Sequence, residues 1–436
     1  MKDILSSQSY VKWLSAATIL ISSVNVNVYA AAFGLTEQNA SGLGNAYAGR
    51  SAIAEDVSTS FYNPAGLTEF NHHQVVGALT LADANLDVKM RRATRAFSGA
   101  VITTGDPSDN AGRLVPIPAA HIGGPLAKKW SYGVSLTAPF GLKTQYDKDS
   151  QMRYFGTLSD LKVMDLNPNL AYKLDNRWSL GAGVSVQYAE ATLSRQFDNT
   201  PFPVVDGKAR NKADGVGYGY NFGVLFKPSV STRLGVAFRS KVKQSVEGHL
   251  KAEGIAPFFV ARNVMNQKAK AVITLPEVLS ISAFQNLNQE WGVIGDVTFT
   301  NWHRFKKLVI KYPDTALAST VVEEKFVNSF KVAVGANYKY NQHLTWKFGT
   351  AYDRSPVESK HRNFRVPDSD RYWLAVGAKY QFNRNAAVDL GYSHIFMPSS
   401  NIRETPIANP PLNRAMSDAR VKSSIDLLGV QLTYSF

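Results

Sequence analysis

Few side chains in this 436-residue sequence have the types and spacing that catalysis or metal binding requires. His72 and His73 are adjacent, and adjacent residues of a strand point apart, so the pair would chelate a metal poorly. Glu323 and Glu324 lack histidine or arginine partners at ligand spacing. The chain contains no cysteine, and no Gly-x-Ser-x-Gly, phosphate-loop or HExxH motif is present. We therefore expect no enzyme, no cofactor and no metal site.

The stretch Phe33–Phe70 is rich in Gly, Ala and Ser and has few large side chains. Small side chains bury little apolar area, but they let backbones approach each other closely. Composition alone would also fit a flexible glycine-rich arm. Because a long β pattern follows, we expect residues 31–73 to form a plug, or hatch, inside a larger structure.

Residues 1–30 have the features of a secretory signal peptide. Lys2 and Lys12 supply the positive region, and Trp13–Val24 supplies an apolar run too short to span a bilayer. Val28-Tyr29-Ala30 forms a small-residue cleavage site that would make Ala31 the first mature residue. We expect export from the cytoplasm.

From Gln74 onward the sequence alternates between apolar and small or polar residues with a period of two, which is a strand signal. The polar face carries Gly, Ser, Asn and Gln, as suits a hydrated or plugged lumen, and aromatic residues gather near the strand ends. Short turns alternate with long polar connections, the asymmetry of an outer-membrane barrel. We predict an all-β fold in which residues 74–436 form a 14-stranded antiparallel transmembrane β-barrel.

Basic residues outnumber acidic ones by fourteen, but they are spread between the strands and form no patch. We therefore expect no nucleic-acid partner. Solvated loops and rims explain most of this surplus, and contact with anionic outer-membrane lipid or an anionic ligand is the alternative. We expect a monomer.

Several segments resemble the FadL family of outer-membrane long-chain fatty-acid transporters. They are AAFGLTEQNASGLGNAYAG at the expected mature N-terminus, Asn63-Pro64-Ala65, DLKVMDLNPNLAYKLDNRWSLGAGVSVQYA, Leu275-Pro276-Glu277, TFTNWHRFKKL and VPDSDRYWLAVGAKYQFNRNAAVDLGYSH. The resemblance covers essentially the whole mature chain. It implies a hatch that blocks the barrel and an inward kink of strand three, which leaves a gap through which ligand leaves sideways.

In this resemblance Asn63, Pro64 and Ala65 form the hatch motif, and Asn63 would hydrogen-bond to backbone freed at the kink. We expect strand three, which would end with Ala138-Pro139-Phe140-Gly141, to bend inward there, because Pro139 cannot donate to a ladder and Gly141 tolerates a bulge. The alternatives are an ordinary strand end at Pro139 and an ordinary turn at Asn63.

The resemblance assigns ligand contact to Arg195, which would meet a carboxylate through bidentate hydrogen bonds. A solvated rim arginine is the alternative. The second basic residue of the family falls near Val322, with Lys325 three residues on, so carboxylate recognition departs from the family pattern. Phe33 and Phe140 are the expected pocket residues. The loop residues Phe155, Phe258 and Phe259 are candidates for a surface groove.

The expected function is passive transport of long-chain fatty acids or similar hydrophobic molecules across the outer membrane of a Gram-negative cell, with lateral exit at strand three. The alternatives are an uptake channel for aromatic or aliphatic hydrocarbons, a general porin, and a barrel enzyme such as a phospholipase. An enzyme would need a Ser-His pair at one rim, and the sequence offers no convincing one.

Overall fold

The computed structural model describes residues 32–95, 98–200, 205–256, 265–313, 319–404 and 416–436. The predicted signal peptide, residues 1–30, and the loop residues Phe258 and Phe259 lie outside this range. No helix within the described ranges is long and apolar enough to cross a membrane.

The described residues contain nineteen β segments in one antiparallel sheet. They are β1 (Gln74–Ala93), β2 (Ser108–Asn110), β3 (Leu114–Ala127), β4 (Trp130–Gln145), β5 (Leu158–Lys173), β6 (Trp178–Phe197), β7 (Gly207–Phe226), β8 (Thr232–Arg239), β9 (Val242–Glu253), β10 (Asn266–Leu275), β11 (Val278–Asn286), β12 (Trp291–Thr300), β13 (Lys307–Lys311), β14 (Thr320–Glu323), β15 (Ser329–Lys339), β16 (Leu344–Asp353), β17 (Arg371–Gln381), β18 (Ala386–Glu404) and β19 (Ser417–Ser435).

These segments make a closed barrel of fourteen strands, as the sequence predicts. Segment β1 pairs with β19 along its whole length, from Gln74 opposite Ser435 to Ala93 opposite Ser417, so the sheet has no free edge at this seam. Segment β2 is a short piece of the connection between β1 and β3. Four strands are each divided into two segments.

The two faces of the barrel follow the alternation in the sequence. In β17, Leu374 and Val376 are exposed on the outside, whereas Arg371 and Trp373 are buried on the inside. Exposed aromatic side chains also mark the ends of strands that are joined by short turns, as in an interfacial girdle. They are Trp130, Trp178, Trp291, Tyr340, Phe382, Tyr434 and Phe436.

The divided strands were not predicted. Their breaks lie at residues 240–241, 276–277, 301–306 and 324–328, side by side in four neighbouring strands. Pro276 cannot donate to the ladder, residues Trp302–Arg304 form a 3₁₀ turn, and Lys325 has a positive φ of 46°. The breaks therefore form a line across the wall at which side chains can turn inward.

Residues 32–70, here called the N-terminal segment, are mostly buried and contain short helical turns. These are the 3₁₀ turns Leu43–Asn45 and Pro64–Glu69 and the one-turn helix α1 (Thr59–Tyr62); a further 3₁₀ turn, Gln151–Tyr154, lies in a loop. The segment contacts inward-facing residues of strands around the barrel. A Cβ at Gly223 of β7 would overlap Asn63, so glycine at this position allows the close approach.

Polar contacts hold the N-terminal segment against the wall. Lys347 of β16 donates to Glu55 at 2.6 Å and to Asp389 at 2.9 Å, and its side chain is almost fully buried. Lys347 also donates to the carbonyl of Ser41 at 2.8 Å. Because these charges are buried together, removing one of them would leave the others without compensation.

Candidate functional site

Phe33 lies at the centre of a buried aromatic cluster. Its ring centroid is 4.6 Å from that of Trp302, 5.3 Å from Phe305 and 6.4 Å from Phe140. Phe326 completes this set, which we call the aromatic cluster. The structure thus brings together Phe33 and Phe140, the two predicted pocket residues, and adds three aromatic residues from the line of strand breaks.

A cavity of about 920 Å³, counted to its open mouth, lies beside the kink of β4 inside the barrel. We call it the kink cavity. Its apolar lining includes Phe61, Pro139, Phe140, Phe222, Phe238 and Trp302, and its polar lining includes Arg50, Arg239, Ser280, Thr298, Lys331 and Asp353.

Segments β3 and β4 are not hydrogen-bonded to each other along about half of their length. Within the described residues, β4 pairs with β3 from Trp130 up to Leu136, which lies opposite Ala120, and no further. Farther up, β3 continues to pair with β1. At the end of β4, Gln145 N–H donates to the carbonyl of Ala111, which lies in the connection just before β3, at 3.2 Å. We call the unpaired stretches, residues 114–119 and 137–144, the open edge.

Segment β4 is the third strand of the barrel, because β2 belongs to a connection. It bends at the predicted place, but it does not end there. Its pairing with β5 shifts by one residue between Thr137 and Phe140, which marks a bulge at Ala138–Pro139. The strand then continues to Gln145. The expected strand end at Gly141 is therefore wrong, because the ladder to β5 is maintained beyond the bulge.

The N-terminal segment binds the freed backbone of β4. Leu35 N–H donates to the carbonyl of Pro139 at 2.8 Å, and Gly141 N–H donates to the carbonyl of Phe33 at 2.9 Å. Beside them, the Gln38 side-chain amide donates to the carbonyl of Ala138 and accepts from its N–H, both at 2.8 Å. These contacts satisfy backbone groups that would otherwise be unpaired.

The expected hydrogen bond from Asn63 to strand three is wrong. The Asn63 amide donates to the carbonyls of Ser51 at 2.6 Å and Val224 at 3.0 Å, and its oxygen accepts from Ala65 N–H. Asn63 thus caps the turn that begins at Pro64 and joins it to β7. Gln38 makes the contact that was expected of Asn63, and its position within the N-terminal stretch that carries the family resemblance did not single it out from the other polar residues there.

Two prolines remove hydrogen-bond donors from the other side of the opening. Ala111 N–H and the Arg113 carbonyl point to β1, so the even-numbered residues that follow point their backbone groups towards β4. Pro116 and Pro118 are even-numbered residues of β3. Proline has no N–H, so this side of the open edge lacks two donors.

Arg195 lies near the extracellular end of β6, on the alternation that faces the lumen. Its side chain is exposed and has no hydrogen bond or ion pair with another described residue. Arg365, in the connection between β16 and β17, donates to Ser159 Oγ at 3.1 Å and to the carbonyls of Leu158 and Ser194 at 3.2 and 3.4 Å. Burial and the charge of Arg195 lower the pKa of Arg365 to about 10.

Arg365 was not predicted as a site residue, because only the folded chain brings it towards Arg195. Lys325, the basic residue nearest to the family's second cation, does not take that role. Lys325 forms an exposed ion pair with Glu323 at 3.7 Å, which leaves the Val322 region without a buried cation among the described residues. The predicted groove residue Phe155 packs on Phe364, with ring centroids 5.1 Å apart.

Comparison with known proteins gives one family and a set of related structures. Residues 21–436 match the family described as outer membrane protein transport protein (OMPP1/FadL/TodX). The long-chain fatty acid transport protein of Salmonella typhi is 28% identical over 417 residues, which cover 90% of this chain and 93% of that protein.

Two solved structures share the fold. A Pseudomonas aeruginosa FadL homologue superposes with a TM-score of 0.86 at 23% identity, covering 93% of this chain and 99% of that one. The Ralstonia pickettii toluene transporter TbuX has a TM-score of 0.65 at 16% identity, with 91% and 98% covered.

Proposed function

This chain belongs to the OMPP1/FadL/TodX family of outer membrane transport proteins, and we propose that it passes long-chain fatty acids sideways into the membrane through the open edge. It is a multi-pass β-barrel of the outer membrane and transports hydrophobic molecules passively. The proposal concerns the ligand, the plug and the exit route.

The observation that carries the proposal is the open ladder between β3 and β4 beside an apolar cavity. Pro139 and Phe140 belong both to the bulge and to the lining of the kink cavity. A hydrophobic ligand that left through the lumen would meet periplasmic water, at a free-energy cost proportional to its apolar area. Sideways exit avoids this cost, because the ligand moves from an apolar cavity into the hydrocarbon of the membrane.

The N-terminal segment acts as the plug in this proposal. A fourteen-stranded barrel is too wide to be filled by its own side chains, since about eight strands are the limit for a side-chain core. The buried contacts of Lys347 with Glu55 and Ser41 hold the segment across this width. Entry from outside would lead to the aromatic cluster, and the backbone of Phe33–Leu35 would separate the ligand from the open edge.

A fatty acid suits both parts of the upper site. Its chain would pack on the aromatic cluster, and its carboxylate would reach Arg195 and Arg365, which lack carboxylate partners within ion-pair distance in the described residues. Charge-assisted hydrogen bonds of arginine with carboxylates are among the strongest in proteins. A neutral aromatic hydrocarbon is the second candidate, because the cluster has five aromatic residues and no basic residue stands at Val322.

We also propose that the protein acts as a monomer surrounded by outer-membrane lipid. Closure of the barrel through β1 and β19 leaves no exposed strand at that seam for pairing with a second copy.

The function is tested by uptake into cells that lack their own hydrophobic-compound transporters. We expect cells that produce the protein to take up radiolabelled oleate faster than cells with an empty vector, and small hydrophilic solutes at the same rate. Faster uptake of toluene but not of oleate would assign the second candidate. Faster entry of hydrophilic solutes would instead make the protein a general porin.

A further inference from the structure

Lys331 of β15 is a buried cation without a counter-ion contact. The residue is 6% exposed, and its Nζ has no hydrogen-bond partner in the described part of the chain. Nζ lies 3.7 Å from the ring centroid of Trp373 and 5.6 Å from that of Tyr47. Contact with two aromatic rings stabilises an ammonium group, but it leaves the N–H donors unused.

The other cations that line the kink cavity are already engaged. Arg239 pairs with Asp165 at 3.1 Å, and its second terminal nitrogen donates to the carbonyl of Phe61 at 2.9 Å. Arg50 contacts Asp296 at 3.8 Å and donates to the hydroxyl of Thr298. Among the described residues that line this cavity, Lys331 is therefore the cation left with unused donors.

The carboxylates near Lys331 do not neutralise it through contact. Asp353, which also lines the cavity, lies 3.4 Å from Arg371 and has no ion pair with Lys331 within 4.0 Å. Glu37 of the N-terminal segment is buried, and its Oε2 lacks a partner in the described residues. Burial raises the pKa of Glu37, which favours its neutral form and weakens its effect on Lys331.

The surroundings of Lys331 suit an amphiphile with an anionic head. Ser280, Thr298 and Ser329 of the cavity lining provide hydroxyl groups, whereas Phe61, Phe140 and Trp302 provide apolar surface. An inorganic anion would leave this apolar surface in contact with water. A carboxylate attached to a long chain would satisfy both the ammonium and the aromatic wall.

We propose that Lys331 binds the carboxylate of a long-chain amphiphile in the kink cavity, as a second site in addition to that of Arg195 and Arg365. This inference rests on the proposed passage of hydrophobic ligands through the cavity. The site differs from that of Arg195, which lies near the extracellular end of β6. A ligand that moves from Arg195 to Lys331 would keep a cation beside its carboxylate. This lowers the desolvation cost of bringing the carboxylate into the barrel.

Uptake of two matched ligands tests this site. Lys331→Met keeps most of the side-chain volume and removes the charge, so we expect oleate uptake to fall about tenfold or more, the effect of losing one charged hydrogen bond. Uptake of oleyl alcohol should stay near the parental rate, and Lys331→Arg should retain most of the oleate uptake. Lys339→Met, at the exposed end of the same strand, is the matched control.

An equal loss for oleate and oleyl alcohol, or no loss for either, would overturn the proposal and assign Lys331 to packing against Trp373. Failure of the parent to take up either ligand would instead contradict the proposed function. If Lys331→Met does not fold, the parent protein soaked with brominated oleate decides the question. A carboxylate within hydrogen-bond distance of Lys331 Nζ is expected, and oleate bound only beside Arg195 would overturn the site.

Discussion

At the residue scale, the proposed specificity depends on Arg195 and Arg365. Within the described residues, Arg365 donates only to neutral oxygen atoms, and Arg195 makes no polar contact. Two neighbouring cations repel each other, and an anion placed between them relieves that repulsion. Arg365, in the connection between β16 and β17, would thus take the place of the second cation that the sequence lacks near Val322.

We expect Arg195→Ala to weaken binding of oleate by about 1.5–3 kcal/mol, the value of a hydrogen bond to a charged group. Binding of oleyl alcohol should change much less, and adding Arg365→Ala should weaken oleate binding further. Titration of the purified protein in detergent measures these affinities. Arg210→Ala, on the outer face of β7 beside Arg195, is the control. Equal losses for acid and alcohol would show that Arg195 acts through packing.

Glu324 gives the extracellular half a dependence on pH. It is buried, it accepts from the Asn363 amide at 3.1 Å, and burial raises its pKa to about 8. The folded protein therefore keeps this proton up to about pH 8, whereas the unfolded chain loses it near the ordinary pKa of about 4.3. Since the folded state binds more protons in this interval, the stabilising contribution of Glu324 is present below pH 4 and is lost as the pH rises to 8.

We accordingly expect Glu324→Gln to raise the thermal stability at pH 8.5 more than at pH 5. The gain reflects removal of a buried carboxylate that must ionise at high pH. Thermal unfolding followed by circular dichroism at the two pH values measures it. Glu323→Gln serves as the control, since this neighbouring side chain is partly exposed and paired with Lys325. A shift of the same size at both pH values would contradict the assignment.

Residue patterns predicted some of the site, and tertiary contacts determined the rest. Phe33 and Phe140 were the expected pocket residues, and the structure brings them into one aromatic cluster, while Pro139 lies in the bulge of β4. Trp302 and Phe326 were missed, because their inward direction depends on the strand breaks beside them. Asn63 and Gln38 are both amides of the N-terminal segment, and nothing in their local sequence says which of them reaches Ala138.

At the element scale, the N-terminal segment has two parts with different roles. Residues Phe33–Gln38 bind the bulge of β4, whereas the remainder is held by buried polar contacts on several strands. Sideways exit requires movement of the first part alone. Passage down the lumen would require the second part to leave the wall.

Two engineered disulfides can distinguish movement of residues 33–38 from release of the rest of the segment. Because the chain has no native cysteine, each introduced pair has only itself to bond with. Ser51 Oγ lies 2.7 Å from Ser280 Oγ of β11, and Ser60 Oγ lies 2.5 Å from Ser135 Oγ of β4. Cysteine pairs at these positions, Ser51→Cys with Ser280→Cys and Ser60→Cys with Ser135→Cys, should form with little movement. We expect both oxidised variants to take up oleate at the parental rate. Uptake that stops on oxidation and returns with reductant would show that the ligand passes through the lumen.

At the scale of the whole molecule, the regular strands of the barrel could be predicted from the sequence, whereas the open edge could not. Alternation over many strands determines closure and orientation, because each apolar face must meet lipid. The open edge instead depends on three parts of the chain at once: β3 carries prolines, β4 has one residue more than β5 at the bulge, and the N-terminal segment fills the break. A pattern within one strand shows only one of these conditions.

Closing the open edge would test the exit route. Continuing the lower register would place Pro118 opposite Ala138 and Pro116 opposite Phe140. Replacing both prolines by Val restores two donors, and deleting Pro139 removes the extra residue of the bulge. Pro168→Val is the matched control, because Pro168 lies in β5, where the Asn167 amide donates to the Val184 carbonyl beside it.

The decisive measurement is the rate of oleate uptake by the closed variant, Pro116→Val and Pro118→Val with Pro139 deleted, once it is shown to be folded and to bind oleate. We predict uptake at the level of cells without the protein, with binding close to that of the parent, and parental uptake for Pro168→Val. Uptake at the parental rate by a folded, oleate-binding closed variant would contradict lateral exit.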